Sequence, residues 1–455
     1  MKIPSILLGL GLCITSSGWA AIAFVHPGAR YAKYELNFVK AKIAQGAEPW
    51  KSHLNQAKTA GSDSRALGLA LNWAYTGDVA SATAALEVLK SWNGHAAYQP
   101  PPEGQGNQNS LEGAWAATLL APAAEIMSQY PGWSDADKAA TKQMFRTVFL
   151  PAMLQMSYWN GNVDLTQIDA LLSIAVFLED QDAFAKGIER LDKRLPAYFY
   201  QSSDNPDVLA YGGSSKAAWG SYNPVLKWTD GLTQESCRDN GHHAQFAIAG
   251  ALAALETAWI QGVDLYTPHR KRMVDAIELM ALQLDTKDMQ GTCPGTVTQD
   301  RYNTLEIGYN HYHNRMGMPM DETGKEILKE LRGGAQQFNM FHESLTHGDI
   351  VYSTSSVQGR TGRRGSVPVR FVGANQCELS SRVTENVELS VLSVDGSPLL
   401  RRERGSPERS RSDWKPPPRE STWCGSGRPK GFPWRNGPSS DPRRRVGEGG
   451  GRSRK

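Results

Sequence analysis

Past its first two dozen residues, this 455-residue chain has no apolar run long enough to cross a bilayer, so no membrane-spanning helix is expected in its folded part. It holds five cysteines, none in CxxC spacing, which argues against a thiolate metal cluster. A GxSxG elbow, a GxxxxGK[ST] loop, a GxGxxG run after a strand and an HExxH helix are all missing. The chemistries those motifs mark lose their sequence support with them: serine nucleophiles, phosphate cradles, dinucleotide sites and zincin centres. Strand-like alternation is scarce before residue 358.

The N-terminus has a different character. Lys2 precedes an apolar stretch from Ile3 to Ile14, and small residues follow, with "AIA" at Ala21 to Ala23. This reads as a secretory signal peptide over residues 1–23, so the mature protein is expected outside the cell and off the membrane. In an oxidising compartment Cys237 and Cys293 can pair. Charge is uneven. Residues 358–455 hold 21 Lys and Arg against 10 Asp and Glu, a balance of +11; with +3 overall, the first 357 residues stand at −8. The tail is rich in Arg, Pro, Gly and Ser, a composition that buries too little apolar surface to offset its ordering entropy. Largely disordered chain is expected there, apart from short β-like runs within residues 367–394.

Between these ends the chain reads as helix after helix. "RALGLALNWAYT" (65–76) breaks at "GD" and resumes as "VASATAALEVLKSW" (79–92), a helical hairpin with a tight connection. The same pairing recurs at 111–130 with 138–156, at 164–180 with 181–199, and at 242–262 with 269–285. Ser134 is placed to cap the second of these pairs and Asp164 to cap the third. Antiparallel pairs must bury their apolar faces on neighbouring pairs. The repeats lack a fixed period and are interrupted by long polar loops. An all-α fold is expected over residues 24–357, an (α/α) toroid or incomplete barrel of helical hairpins, with function on the loops.

Three polar clusters interrupt the array. "WNGNVDLT" (159–166) holds Asn160 and Asn162 ahead of a helix, where turn and cap chemistry is the plain alternative. "TQESCRDNGHHAQ" (233–245) places Arg238 and Asp239 just before His242 and His243 at a helix mouth. The positive end of the helix dipole there favours a neutral imidazole able to accept a proton. "DRYNTLEIGYNHYHNRMG" (300–317) gathers Arg301, Glu306, Tyr309, Asn310, His311, His313 and Arg315, more aromatic and imidazole content than a solvated helix usually carries. His311-x-His313 suits a metal-binding strand better than a helix, so no catalytic metal or cofactor is expected.

Several stretches resemble the alginate lyase-like polysaccharide lyases. These are "FVHPGARYAKYELNFVKAKIAQGAEPWKSHLNQ", "NGNVDLTQIDALLSIAVFLED", "QESCRDNGHHAQ", "AWIQGVDLY" and "LEIGYNHYHNRMGM", spread in order over about residues 24–350. The resemblance implies an α/α toroid and metal-free β-elimination on 1,4-linked polyuronates such as alginate or glucuronan. It also implies an Asn, a His, an Arg and a Tyr as the catalytic set. By motif these fall on Asn162 or Asn160, on His243 or His242, on Arg301 or Arg315, and on Tyr309. Arg238, Asn310 and His311, with whichever of Asn160 and Arg315 is not catalytic, complete the expected substrate contacts. The expected partner is an anionic polysaccharide bound by a monomer, with no role for nucleic acid. Two rivals stand beside this reading: a hydrolase using paired carboxylates from Asp164, Glu235, Asp239 and Glu306, and a non-catalytic polyanion binder using the basic tail.

Overall fold

The computed structural model describes residues 22–48, 50–61, 64–159, 161–204, 208–212, 219, 223–297 and 305–327, together with the backbone of short strands between Ser356 and Asp413. The helices follow the hydrophobic periodicity closely. The chain runs α1 (Lys33–Ala44), α2 (Trp50–Lys58), α3 (Arg65–Thr76), α4 (Val79–Ser91), α5 (Gln108–Met127), α6 (Asp135–Met144) and α7 (Leu150–Met153). It continues with α8 (Gly161–Leu178), α9 (Gln181–Tyr198), α10 (Ser236–Asp239), α11 (His242–Ile260), α12 (Arg270–Thr286), α13 (Glu306–Tyr309) and α14 (Asp321–Glu326). Ser134 caps α6 as expected, its side chain accepting from Asp137 N at 3.1 Å. Between α6 and α7 the turn Phe145–Phe149 widens to π geometry. Pro151, just beyond, lacks the N–H that the preceding turn would use, which accounts for the widening.

α3, α5, α8 and α11 pack side by side, and their hairpin partners α4, α9 and α12 lie against them. This is the helical toroid. Against the expectation from sequence, one helix among the described residues, α8, is by length and composition apolar enough to cross a membrane, but every residue of it is buried between its neighbours. The opening segment is pinned across the array. Val25 N donates to Gln261 Oε1 at 2.9 Å, Gly28 N to Glu125 Oε2 at 3.0 Å, and Arg30 pairs with Asp169 at 2.6 Å. At the other end Arg315 reaches back to α1, pairing with Glu35 at 3.0 Å and donating to Tyr34 Oη at 2.7 Å.

After the helices, short antiparallel strands appear: β1 (Ser356–Gln358) with β2 (Arg364–Ser366), β3 (Val369–Gly373) with β4 (Gln376–Leu379), β5 (Val387–Leu392) with β6 (Pro398–Arg404), and β4 with β7 (Arg411–Asp413). The β-like runs expected at 367–372 and 387–394 fall on β3 and β5.

Asp164 corrects an expectation. It sits inside α8 rather than at its cap, fully buried, held by Arg190 at 2.5 Å and Arg194 at 2.8 Å. Burial pushes its carboxyl up, but the two guanidinium groups outweigh that and keep it below the usual carboxylate range. Removing the charge in Asp164→Asn leaves two buried cations without compensation, so a loss of about 3–5 kcal/mol is expected in urea unfolding. A loss under about 1 kcal/mol would show that the pairs add nothing to the fold.

Candidate active site

The site is built around a break between two helices. Asn240 and Gly241 both adopt left-handed backbone, with φ of 50° and 112°. A side chain is strained at the second value, and glycine supplies it freely. The break folds α10 back so that its last residue, Asp239, lies against the first turn of α11. Asp239 Oδ1 accepts from His243 N at 3.1 Å, and Asp239 Oδ2 bonds the His243 ring at Nδ1. An ionised carboxylate only accepts, so Nδ1 carries the proton and Nε2 is left as the acceptor. Burial pushes the Asp239 carboxyl up, yet the bond to His243 and the charge on that ring hold it below its ordinary value. Both side chains stay partly open, at 23% for His243 and 25% for Asp239.

His242 has a different setting. Its ring meets His243 and Phe246 edge to face, at 4.9 Å and 4.5 Å between centroids. Burial first, and then the neighbouring imidazole, depress its proton affinity. The floor beneath both rings is stitched. Cys237 and Cys293 form a disulfide, and Asn240 Nδ2 donates to the carbonyls of Pro294 and Thr296, each at 3.0 Å.

Asn162 arrives from the start of α8. Its Nδ2 donates to Glu235 Oε2 at 2.7 Å and its backbone N to the same oxygen at 3.3 Å. Glu235 also accepts from Tyr198 Oη at 2.9 Å and from Arg238 Nη1 at 2.8 Å. Burial, reinforced by the Glu235 charge, raises the Tyr198 phenol well above its usual value, so it stays a donor. One buried carboxylate thus ties α8, α9 and α10 together and fixes both an amide and a guanidinium. The Asn162 amide, in a residue 4% exposed, has a second N–H beyond the one given to Glu235. Arg238 keeps 26% of its side chain exposed. Two hydrogen-bond donors and an imidazole held by Asp239 therefore share one segment of the fold. Among the described residues no three His, Cys, Asp or Glu side chains are gathered so as to hold a metal ion.

The alginate lyase family matches residues 31–200. Among solved structures, a histidine-to-alanine variant of alginate lyase A1-III complexed with a tetrasaccharide has a similar fold, with TM-score 0.51 and 13% identity, covering 73% of this chain and 97% of that one. Alginate lyase A1-III from Sphingomonas species A1 (15% identity, TM-score 0.47, 73% and 98% covered) and an alginate lyase from Bacteroides ovatus (15%, 0.45, 72% and 100%) are also similar. No curated protein sequence matches. Over residues 31–200 this chain resembles the alginate lyases. The A1-III likeness supports the α/α toroid.

The residues expected from sequence part into groups. Asn162, Arg238, His242 and His243 come together around Glu235 and Asp239. Arg301 and Asn160 lie outside the described residues. Tyr309 stacks on His313 with centroids 4.5 Å apart, and its hydroxyl lies beside Gly324. Its neighbour Gly308 abuts Leu252, nine residues along α11 from His243. At 1.5 Å per residue that is ~14 Å down the axis.

Asn310, His311 and Arg315 are corrected. Asn310 is 1% exposed and accepts from Asn314 Nδ2 at 3.3 Å. The His311 ring stacks on Tyr266 at 3.4 Å and meets Trp259 edge-on at 4.8 Å. Burial, then the adjacent Arg315, holds that imidazole well below its usual range. Arg315 has a side chain only 3% exposed, between Glu35 and Glu256. These three belong to the core, where a polymer has no access to them. Glu235 entered the sequence reading only as a possible hydrolytic carboxylate, and Tyr198 had no signal at all, since a tyrosine near a helix end is common.

The depressed His242 pKa gives a pH dependence with a definite sign. In the unfolded chain this His takes a proton near pH 6.5, and in the fold only at lower pH. The unfolded state therefore binds protons first as pH falls, and stability is lost on the acid side of about 6.5. His242→Gln should lose less of its thermal midpoint than the wild type between pH 7 and pH 5. Parallel curves for the two proteins would contradict this.

Proposed function

We propose that the protein is a secreted lyase that cleaves 1,4-linked uronic acid polymers, alginate or glucuronan, by β-elimination. The observation that carries this reading is the imidazole of His243, locked by Asp239 at an accessible helix mouth beside the Asn162–Glu235–Arg238 cluster. The C5 proton of a uronate is a poor acid because the carboxylate next to it is already negative. Donors must take up the charge that develops on that carboxylate as the proton leaves. The second amide N–H of Asn162 and the guanidinium of Arg238 fill this role, and preorganised donors of this type are each worth roughly 3–4 kcal/mol in the transition state. His243 Nε2 takes the proton from C5. The C4–O4 bond breaks as the C4=C5 double bond forms, and the imidazolium returns its proton to the departing O4. No step is assigned to Tyr309 or Arg301.

The family match and the tetrasaccharide held by the A1-III relative support a polyuronate substrate. The Cys237–Cys293 disulfide suits an oxidising, extracellular setting. The hydrolase rival fares worse. Glu306 is 0% exposed, Asp164 is neutralised inside α8, and Glu235 is enclosed by its donors. Asp239 alone of the four keeps appreciable exposure, and hydrolysis needs an opposed pair.

Incubated with alginate and with glucuronan, the purified protein should release chains with 4,5-unsaturated ends, seen as new ultraviolet absorbance. His243→Ala should lower kcat by about 10²–10⁴-fold. Reducing ends released without that absorbance would favour hydrolysis. Undiminished turnover in the variant would remove His243 from the reaction.

A further inference from the structure

We propose that the indole of Trp159 is a stacking platform for a uronate ring close to the bond that is cut. The proposal rests on the polyuronate reading above and adds to it a binding residue from outside the hydrogen-bonding cluster. A single exposed apolar side chain is ordinary on a protein surface. The way this one is seated and where it stands are not.

Trp159 is 49% exposed, the only exposed tryptophan among the described residues. Its backbone is held at two points. Trp159 N donates to Ser157 Oγ at 3.3 Å, and Tyr158 N donates to Gln105 O at 3.1 Å. The ring rests on Gly106, where a Cβ would lie 2.4 Å from its Cγ and 2.6 Å from its Cδ1. Only a residue without a side chain lets the indole lie that close to the backbone. The supporting loop is itself tied down: Gln99 N donates to Asn109 Oδ1 at 2.6 Å, and Asn107 caps α5 through Ser110 N at 2.6 Å. The ring is thus seated against a fixed loop while about half of the residue stays open to solvent. An aromatic held in place before binding loses little entropy when a ligand settles on it.

Position selects the ligand. Trp159 stands three residues before Asn162, so the two lie within ~11 Å of one another, a span that one polymer chain can bridge. The apolar C–H face of a pyranose ring fits a flat indole, while the sugar's carboxylate and hydroxyls project from the ring edge toward polar partners. Other aromatics in the region are less available. Trp219 is 2% exposed, and Trp228 packs at a tilt against it at 5.3 Å and against Tyr200 at 5.0 Å. Leu209 and Leu226 are exposed but offer no flat face.

The test uses the full chain with alginate and glucuronan as probes, reading initial rates of unsaturated-end formation and retardation in gels containing each polymer. Trp159→Ala should raise KM about tenfold with kcat within about twofold, and should lose most of the retardation. Trp159→Phe, which keeps a flat ring, should recover part of both. Gly106→Ala leaves the indole in place chemically but displaces it from its seat, and should also raise KM. Unchanged KM and retardation in Trp159→Ala, with wild-type turnover normal, would overturn the platform and leave the lyase reading intact. Retardation that depends on Trp159, in a wild type that forms no unsaturated ends, would defeat the lyase reading and support the platform. A wild type that neither binds nor cleaves either polymer overturns both.

Discussion

Burying a carboxylate costs several kcal/mol unless donors surround it, and Glu235 is surrounded. It is 3% exposed and receives the Asn162 amide, the Asn162 backbone N–H, the Tyr198 hydroxyl and the Arg238 guanidinium. Those donors come from the start of α8, the end of α9 and the α10 turn. The same residue therefore fixes where three pieces of the toroid meet and how the amide and the guanidinium are aimed. The remaining site geometry follows from the short path between Glu235 and His243: one turn of helix, one left-handed break, and Asp239 closing onto the imidazole.

Two kinds of buried ionic group have to be kept apart in this fold. The Asp164–Arg190–Arg194 triad and the Arg315–Glu35–Glu256 cluster are enclosed and internally matched. They tie helices together, α8 to α9 in the first case and the last described turns to α1 and α11 in the second. Asp239, His243 and Arg238 are instead each about a quarter exposed, with Glu235 buried behind Arg238. Among the charged groups, exposure more than residue type separates those that can meet a polymer from those that hold the ring closed.

Much of this was legible in the sequence. The 3.6-residue periodicity located the hairpins to within a few residues, because apolar faces that pack on neighbouring helices leave a strong pattern. The helix mouth at His242 and His243 was visible as titratable residues at the head of an apolar run, and the pairing of Cys237 with Cys293 was anticipated. The cluster from Asp300 to Gly317 misled in part. Its imidazole and guanidinium content is real, but sequence does not reveal which way a helical face points. His311 and Arg315 turn inward to partners that include Glu35, 280 residues away from Arg315. The role of Glu235 was hidden for the same reason: its donors Asn162 and Tyr198 lie 73 and 37 residues upstream, and no local pattern marks a contact of that range.

The most direct test of the account is a structure of the His243→Ala protein with a uronate oligosaccharide bound. The account predicts a sugar carboxylate between the Asn162 amide and the Arg238 guanidinium, with C5 facing the space vacated by the imidazole. An oligosaccharide seated away from the α10–α11 break, with Asn162 and Arg238 untouched, would contradict it.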